Sequence, residues 1–110
     1  MVLIESRAFT RRLHELAGDA ADSVLAAIQT GLVENPSRGS MVQGLGGIRK
    51  ARVSNAARGK GKRGGFRYMH LYLERKDHVH LLFIFDKDEQ EDVNPAQRAL
   101  LRQLVDAIKK

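Results

Sequence analysis

No carboxylate occurs between Glu34 and Glu74, yet nine Lys and Arg side chains fall in that interval. Its centre is GLGGIRKARVSNAARGKGKRGGFR, residues 44–67, where eight basic side chains stand among seven glycines. The two ends of this stretch constrain the fold most. Residues 48–54 alternate, with Ile48, Lys50 and Arg52 on one parity and Arg49, Ala51 and Val53 on the other. That period of two belongs to a strand with one dry and one wet face. Past the glycines, residues 66–74 form a second strand-like run, so part of the charge is held on a sheet and part on the connection between strands. Residues 55–65, rich in Gly and Lys, are expected to be the most mobile connection. Positive charge arranged in this way suits a polyanion. The competing reading is a solvated hairpin that only aids solubility, but a solubility surface normally mixes signs.

The remaining elements follow in chain order. MVLIE at residues 1–5 is an apolar strand. Ser6 is placed to cap a helix carrying Phe9, Leu13 and Leu16 at helical spacing. Gly18 and Asp19 break that helix. A second helix over residues 20–34 carries Val24, Leu25, Ile28 and Leu32, and Asn35-Pro36 stops it because the residue before proline avoids the α region. Residues 37–47 have turn chemistry throughout. Residues 66–74 and 78–85 form two strands joined by a tight hairpin at Lys76-Asp77. The second of them, HVHLLFIF, is apolar on both parities from Leu81 onward and is expected to be the central, most buried strand. A last helix starts at Asn94-Pro95-Ala96-Gln97, a capping sequence with proline at the first helical position. Leu100, Leu101, Leu104, Val105 and Ile108 line one side of it. The order is β-α-α-β-β-β-α, a small α+β fold with the helices on one face of a mainly antiparallel sheet. Leu82, Ile84, Leu101 and Leu104 are the expected core.

The chain has 110 residues, enough for one hydrophobic core, and residues 1–110 are expected to form one domain. A net charge of +6 reinforces the polyanion reading. The absence of cysteine excludes disulfides, thiolate metal sites and cysteine nucleophiles. No apolar run approaches a membrane helix and no signal-peptide core is present, so a cytoplasmic protein with no membrane partner is expected. GKGKRGG lacks the spacing of a phosphate-binding P-loop, and GLGGIR leads into a strand rather than a helix.

His78 and His80 share one side of their strand, but no further ligand stands at a suitable spacing; structural or surface roles are favoured and no metal is expected. His70 is the best of the histidines as an acid or base, since nearby cations would hold it neutral, although it falls on the parity opposite to Arg67. Residues 86–92 carry five carboxylates around Lys87. They lack the order of a calcium loop, and their expected role is negative charge ahead of the last helix. Lys87 closes the apolar strand at the sheet end where the basic cluster lies.

GLGGIRKARV, GKGKRGGFR, LLFIF-x-K-x-E and NPAQ-x-x-L together resemble the HigB-type branch of the RelE/ParE toxin superfamily. The resemblance spans nearly the whole chain and implies a small RelE-like fold. It implies the toxin of a type II toxin–antitoxin pair, a ribosome-dependent mRNA endoribonuclease that inhibits translation without metal or other cofactor. In that chemistry the ribose 2′-hydroxyl attacks the adjacent phosphate, leaving a 2′,3′-cyclic phosphate and a 5′-hydroxyl. Carried over, the catalytic positions fall on Lys50, Arg52, Arg67 and Lys87, and RNA or ribosome binding on Arg49, Arg58, Lys60, Lys62 and Arg63. The implied partners are the ribosome, mRNA and a cognate helix-turn-helix, HigA-like antitoxin. One departure stands out: many relatives carry a tyrosine in or just after the last strand, where this chain has Phe85, and its nearest phenols are Tyr68 and Tyr72. The alternatives are a ParE-like toxin that poisons DNA gyrase and a non-catalytic RNA- or ribosome-binding protein.

Overall fold

The computed structural model describes residues 1–54 and 65–110. Strand β1 (Val2–Glu5) leads into helices α1 (Arg7–Ala17) and α2 (Ala21–Glu34). Then come the two-residue β2 (Ser40–Met41), β3 (Arg49–Val53), β4 (Phe66–Leu73), β5 (His78–Asp86) and α3 (Pro95–Lys109). They form one five-stranded sheet in the order β1-β5-β4-β3-β2, parallel only between β1 and β5. The α+β fold expected from the sequence is the fold observed. Two strand expectations are corrected. β2 lies within residues read as turn, and it forms because Ser40 and Met41 pair with Lys50 and Arg49. β4, not β5, is the middle strand, and β5 lies one place off centre because β1 returns to pair with its outer edge.

The helix starts obey the local chemistry. The Ser6 hydroxyl accepts a hydrogen bond from the Phe9 N–H at 3.0 Å and donates to the Leu82 carbonyl at 2.8 Å. One side chain thus caps α1 and fastens it to β5. At α3 the Asn94 side chain accepts from the Gln97 N–H at 2.8 Å, while the Gln97 side chain accepts from the Asn94 N–H at 2.9 Å. This reciprocal capping satisfies two donors that the helix leaves unpaired. The β4–β5 connection is a short 3₁₀ turn over Glu74–Lys76, closed by Asp77 in the left-handed region at φ 53°.

The helices do not share one face. Phe9, Leu13, Val24, Ile28 and Leu32 pack with Ala51, Val53, Phe66, Tyr68 and Ile84 on one side of the sheet. Leu101 and Val105 of α3 pack on the opposite side with Ile48, Met69, Leu71, Leu82, Phe83 and Phe85. The cause lies in β4 and β5, whose two parities are both apolar and must both be covered. Leu82 and Phe83 lie in the same core because the β4–β5 register slips there, Met69 facing Phe83 and His70 facing Leu81.

α3 presents a narrow apolar footprint, only Leu101 and Val105 being fully buried, with Leu104 half-buried at its margin. Leu104 is therefore a weaker core residue than its spacing suggests. Basic groups of α3 fasten the helix further. Arg98 donates to the Gln43 carbonyl, Arg102 to Gly44 O at 2.8 Å and Lys109 to Gly46 O at 2.6 Å. Gly46, at φ 68°, keeps that loop close enough that a Cβ there would lie 3.0 Å from Val105. Leu101→Ala should cost about 2–5 kcal/mol in denaturant unfolding, and Leu104→Ala distinctly less. Equal losses would contradict the observed seating of α3.

Candidate functional site

The strand register assembles the basic groups. Arg52 lies directly opposite Arg67, and Lys50 opposite Met69. Lys50, Arg52 and Arg67 share the parity of Ile48 and Met69, which places them on the α3 side of the sheet. Like charges facing each other across a ladder are destabilising unless something else rewards them. Arg67 is the extreme case, only 8% exposed with a buried Nη1 that has no hydrogen-bond partner among the described residues. Burial, and then Arg52, lower its pKa from the ordinary arginine range. The guanidinium still keeps its proton, since its unperturbed pKa is so high.

Arg52 and Arg67 line a cavity of about 430 Å³ with Lys50, Arg38 and Ser40. Gly39 sits at the same wall with φ 86°, so close to the Lys50 carbonyl that no side chain fits there. Lys50 Nζ is 3.6 Å from a carboxylate oxygen of Asp92, in the segment that leads into α3. Sequence reasoning assigned no site role to Arg38, Ser40 or Asp92. Ser40 joins through the β2–β3 pairing, and Asp92 through the path of the chain around the end of β5. Neither carries a local signal.

The other expected site residues are placed as follows. Lys87 is exposed at the same sheet end, its N–H donating to the Gly65 carbonyl at 3.3 Å, and it is not among the residues lining the cavity. Arg49 has the opposite parity and donates to the Gly39 carbonyl at 3.2 Å. Arg58, Lys60, Lys62 and Arg63 lie outside the described residues.

The phenols and imidazoles are elsewhere. Tyr68 is buried in the core beneath α1 and α2, and Tyr72 packs against that core with its hydroxyl donating to Asp77 at 3.4 Å. Neither is on the cationic face. Phe85, opposite Arg67, is fully buried on the α3 side, so a hydroxyl at its position would enter packed core. His70 faces Arg49 across the ladder, packs 5.5 Å from the Tyr68 ring and is fully buried. Its Nε2 lies 3.2 Å from the Pro36 carbonyl, which requires the Nε2–H tautomer and leaves buried Nδ1 without a hydrogen-bond partner among the described residues. Burial outweighs that hydrogen bond and, with Arg49 and Arg38, lowers its pKa to about 4. The expected neutral imidazole is thus present, but it is sealed away from the cationic face and cannot act there as a base. The rings of His78 and His80 are 6.4 Å apart. Among the described residues no group of three or more His, Cys, Asp or Glu is placed to hold a metal ion.

The fold, a five-stranded sheet covered by two helices on one face and one on the other, is similar to that of two solved structures. The free-state structure of a double arginine-to-alanine mutant of the E. coli toxin RelE matches with a TM-score of 0.57 at 13% identity, covering 82% of this chain and 86% of that one. A chain of the intact E. coli RelBE toxin–antitoxin complex matches with a TM-score of 0.54 at 14% identity, over 76% of this chain and 92% of the matched one. At such identities the likeness establishes the fold. The family model for the RelE toxin of RelE/RelB toxin–antitoxin systems matches residues 7–110. The chain belongs to the RelE toxin family.

Proposed function

We propose that this protein is the toxin of a type II toxin–antitoxin pair and cleaves mRNA on the ribosome, with residues 1–110 acting as one domain in the cytoplasm. The observation that carries the reading is the Arg52–Arg67 pair, two arginines directly opposite each other on adjacent strands and lining one cavity, the second buried and incompletely hydrogen-bonded. A scissile phosphate is an anion that both guanidinium groups can bind. In-line attack by the 2′-hydroxyl crowds negative charge onto a pentacoordinate phosphorus, and preorganised cations stabilise that charge more than the ground-state diester. Arg52 and Arg67 are the charge-stabilising groups. Proton transfer falls to groups that can lose a proton, and of the cavity residues Lys50 is the best placed, with Lys87 at the rim. Binding of RNA would exchange the Asp92 carboxylate at Lys50 for a phosphate oxygen. No step in this scheme requires a metal.

Within the family, the GxGGxRKxRV and GKGKxGGxR segments support a HigB-type member whose antitoxin is a helix-turn-helix, HigA-like protein. The solved E. coli relative is complexed with its antitoxin RelB, and a cognate antitoxin is proposed here by the same logic. A gyrase-poisoning toxin would not need cations aligned on adjacent strands. Primer extension on mRNA after induction tests the reading: new 5′ ends within translated messages are expected. Intact messages together with inhibited DNA supercoiling would favour the gyrase alternative.

The basic connection is proposed to dock on ribosomal RNA. Replacing Lys60, Lys62 and Arg63 together by Ala should weaken ribosome association and lower the slope of log affinity against log salt by roughly 2, through lost counterion release. Unchanged association at physiological salt would remove these residues from the docking surface.

A further inference from the structure

β3 begins opposite His70, so β4 runs on through Leu71, Tyr72 and Leu73 with no ladder partner on that edge among the described residues. This free edge lies in an open groove of about 600 Å³. Leu71, Leu73 and Ile108 give it an apolar floor, and Met41, 58% exposed, forms one lip. Its rim is cationic: among the described residues Arg49, Arg75, Lys76, Lys109 and Lys110 line it, with Glu74 as the one acidic side chain. Unpaired strand edges invite another strand, and natural proteins usually cover or blunt them. Here Gly47 comes close to Leu71, a Cβ there lying 3.3 Å from Leu71 Cδ1, and the edge beyond it, at Tyr72 and Leu73, is flanked by apolar side chains.

We propose that this groove binds an extended acidic peptide, which adds a strand to the free edge of β4. Backbone hydrogen bonds from the edge would fix the peptide's direction. Alternate peptide side chains would enter the apolar floor, and carboxylates between them would meet the basic rim. Leu73 lies six positions beyond Arg67, roughly 20 Å along a strand, and no described residue lines both this groove and the Arg52–Arg67 cavity. Under the proposed function a segment of the antitoxin is the natural source of such a peptide, but peptide binding is measured without RNA cleavage and stands or falls separately.

The test is a titration of the ¹⁵N-labelled full chain with the capped synthetic peptide EIDVELD, followed by amide shifts and hydrogen exchange. The expected result is shifts and slowed exchange at Leu71, Tyr72 and Leu73, with Arg52 and Arg67 unmoved. The basic control KIKVKLK should not bind. The double substitution R75E/K76E, on exposed turn positions, should weaken EIDVELD by roughly tenfold or more through like-charge repulsion while the rest of the spectrum is retained. No shift at the three edge amides at about 1 mM peptide, equal binding of KIKVKLK, or unchanged affinity of R75E/K76E would each overturn the proposal. So would the same shifts on adding a short single-stranded RNA, or on concentration-driven self-association without peptide.

Discussion

Arg67→Ala should abolish growth inhibition on induction and lower mRNA cleavage by roughly 10²–10³, the usual effect of losing one preorganised charge-stabilising donor. Ribosome binding should change much less. Arg67 is buried between β3 and β5 and faces Arg52, so its charge acts at one point rather than across a docking surface. The fold should survive, because the substitution also removes a like-charge repulsion and a buried nitrogen with no hydrogen-bond partner among the described residues. Circular dichroism and ribosome co-sedimentation of the variant provide the controls. A folded, ribosome-bound Arg67→Ala that cleaves as fast as the wild type would refute the cationic-pair mechanism.

Stability should fall steeply with acid because of His70. Its pKa is held near 4 in the folded chain, against an ordinary value of 6.5. The unfolded chain therefore takes up a proton between these values that the folded chain refuses. Stability rises with pH wherever the unfolded state binds more protons, so it is lost as pH falls from 6.5 toward 4. The loss attributable to this residue is about 3 kcal/mol at pH 4. The groups around it oppose charging: Arg49 across the ladder, Arg38 nearby, the Tyr68 ring, and no carboxylate among the contacts identified. Urea unfolding of wild type and His70→Gln at pH 7 and pH 4 isolates the effect, since carboxylate titration is common to both. The difference in stability between the two proteins should shift by that amount between the two pH values. Parallel pH dependences would mean that the His70 pocket admits the proton.

Much of this fold was legible because its determinants are local. Ser6, Gly18, Asn35-Pro36 and Asn94–Gln97 set helix ends through groups within a few residues of one another, and each end falls where that chemistry places it. The alternation in RKARV put Lys50 and Arg52 on one face and Arg49 on the other, and the strand obeys it. Even the two-sided covering of the sheet had a trace, since HVHLLFIF is apolar on both parities, although that pattern names no element as the cover. β2 left no trace, because two residues become a strand only when Lys50 and Arg49 present a ladder to them.

The site divides along the same line. Sequence alone determined that this chain concentrates positive charge around a strand–glycine–strand unit, which residue types carry it and which parity each occupies, because parity depends only on the geometry of successive residues. Tertiary structure decided that Arg52 faces Arg67, that Asp92 reaches Lys50, that Arg38 and Ser40 complete the cavity wall, and that His70, Tyr68 and Tyr72 lie away from the cationic face. Those relations join residues up to dozens of positions apart. They depend on strand register and on which helix covers which face, and these are set by burying both apolar sides of β4 and β5 at once rather than by any neighbouring residue.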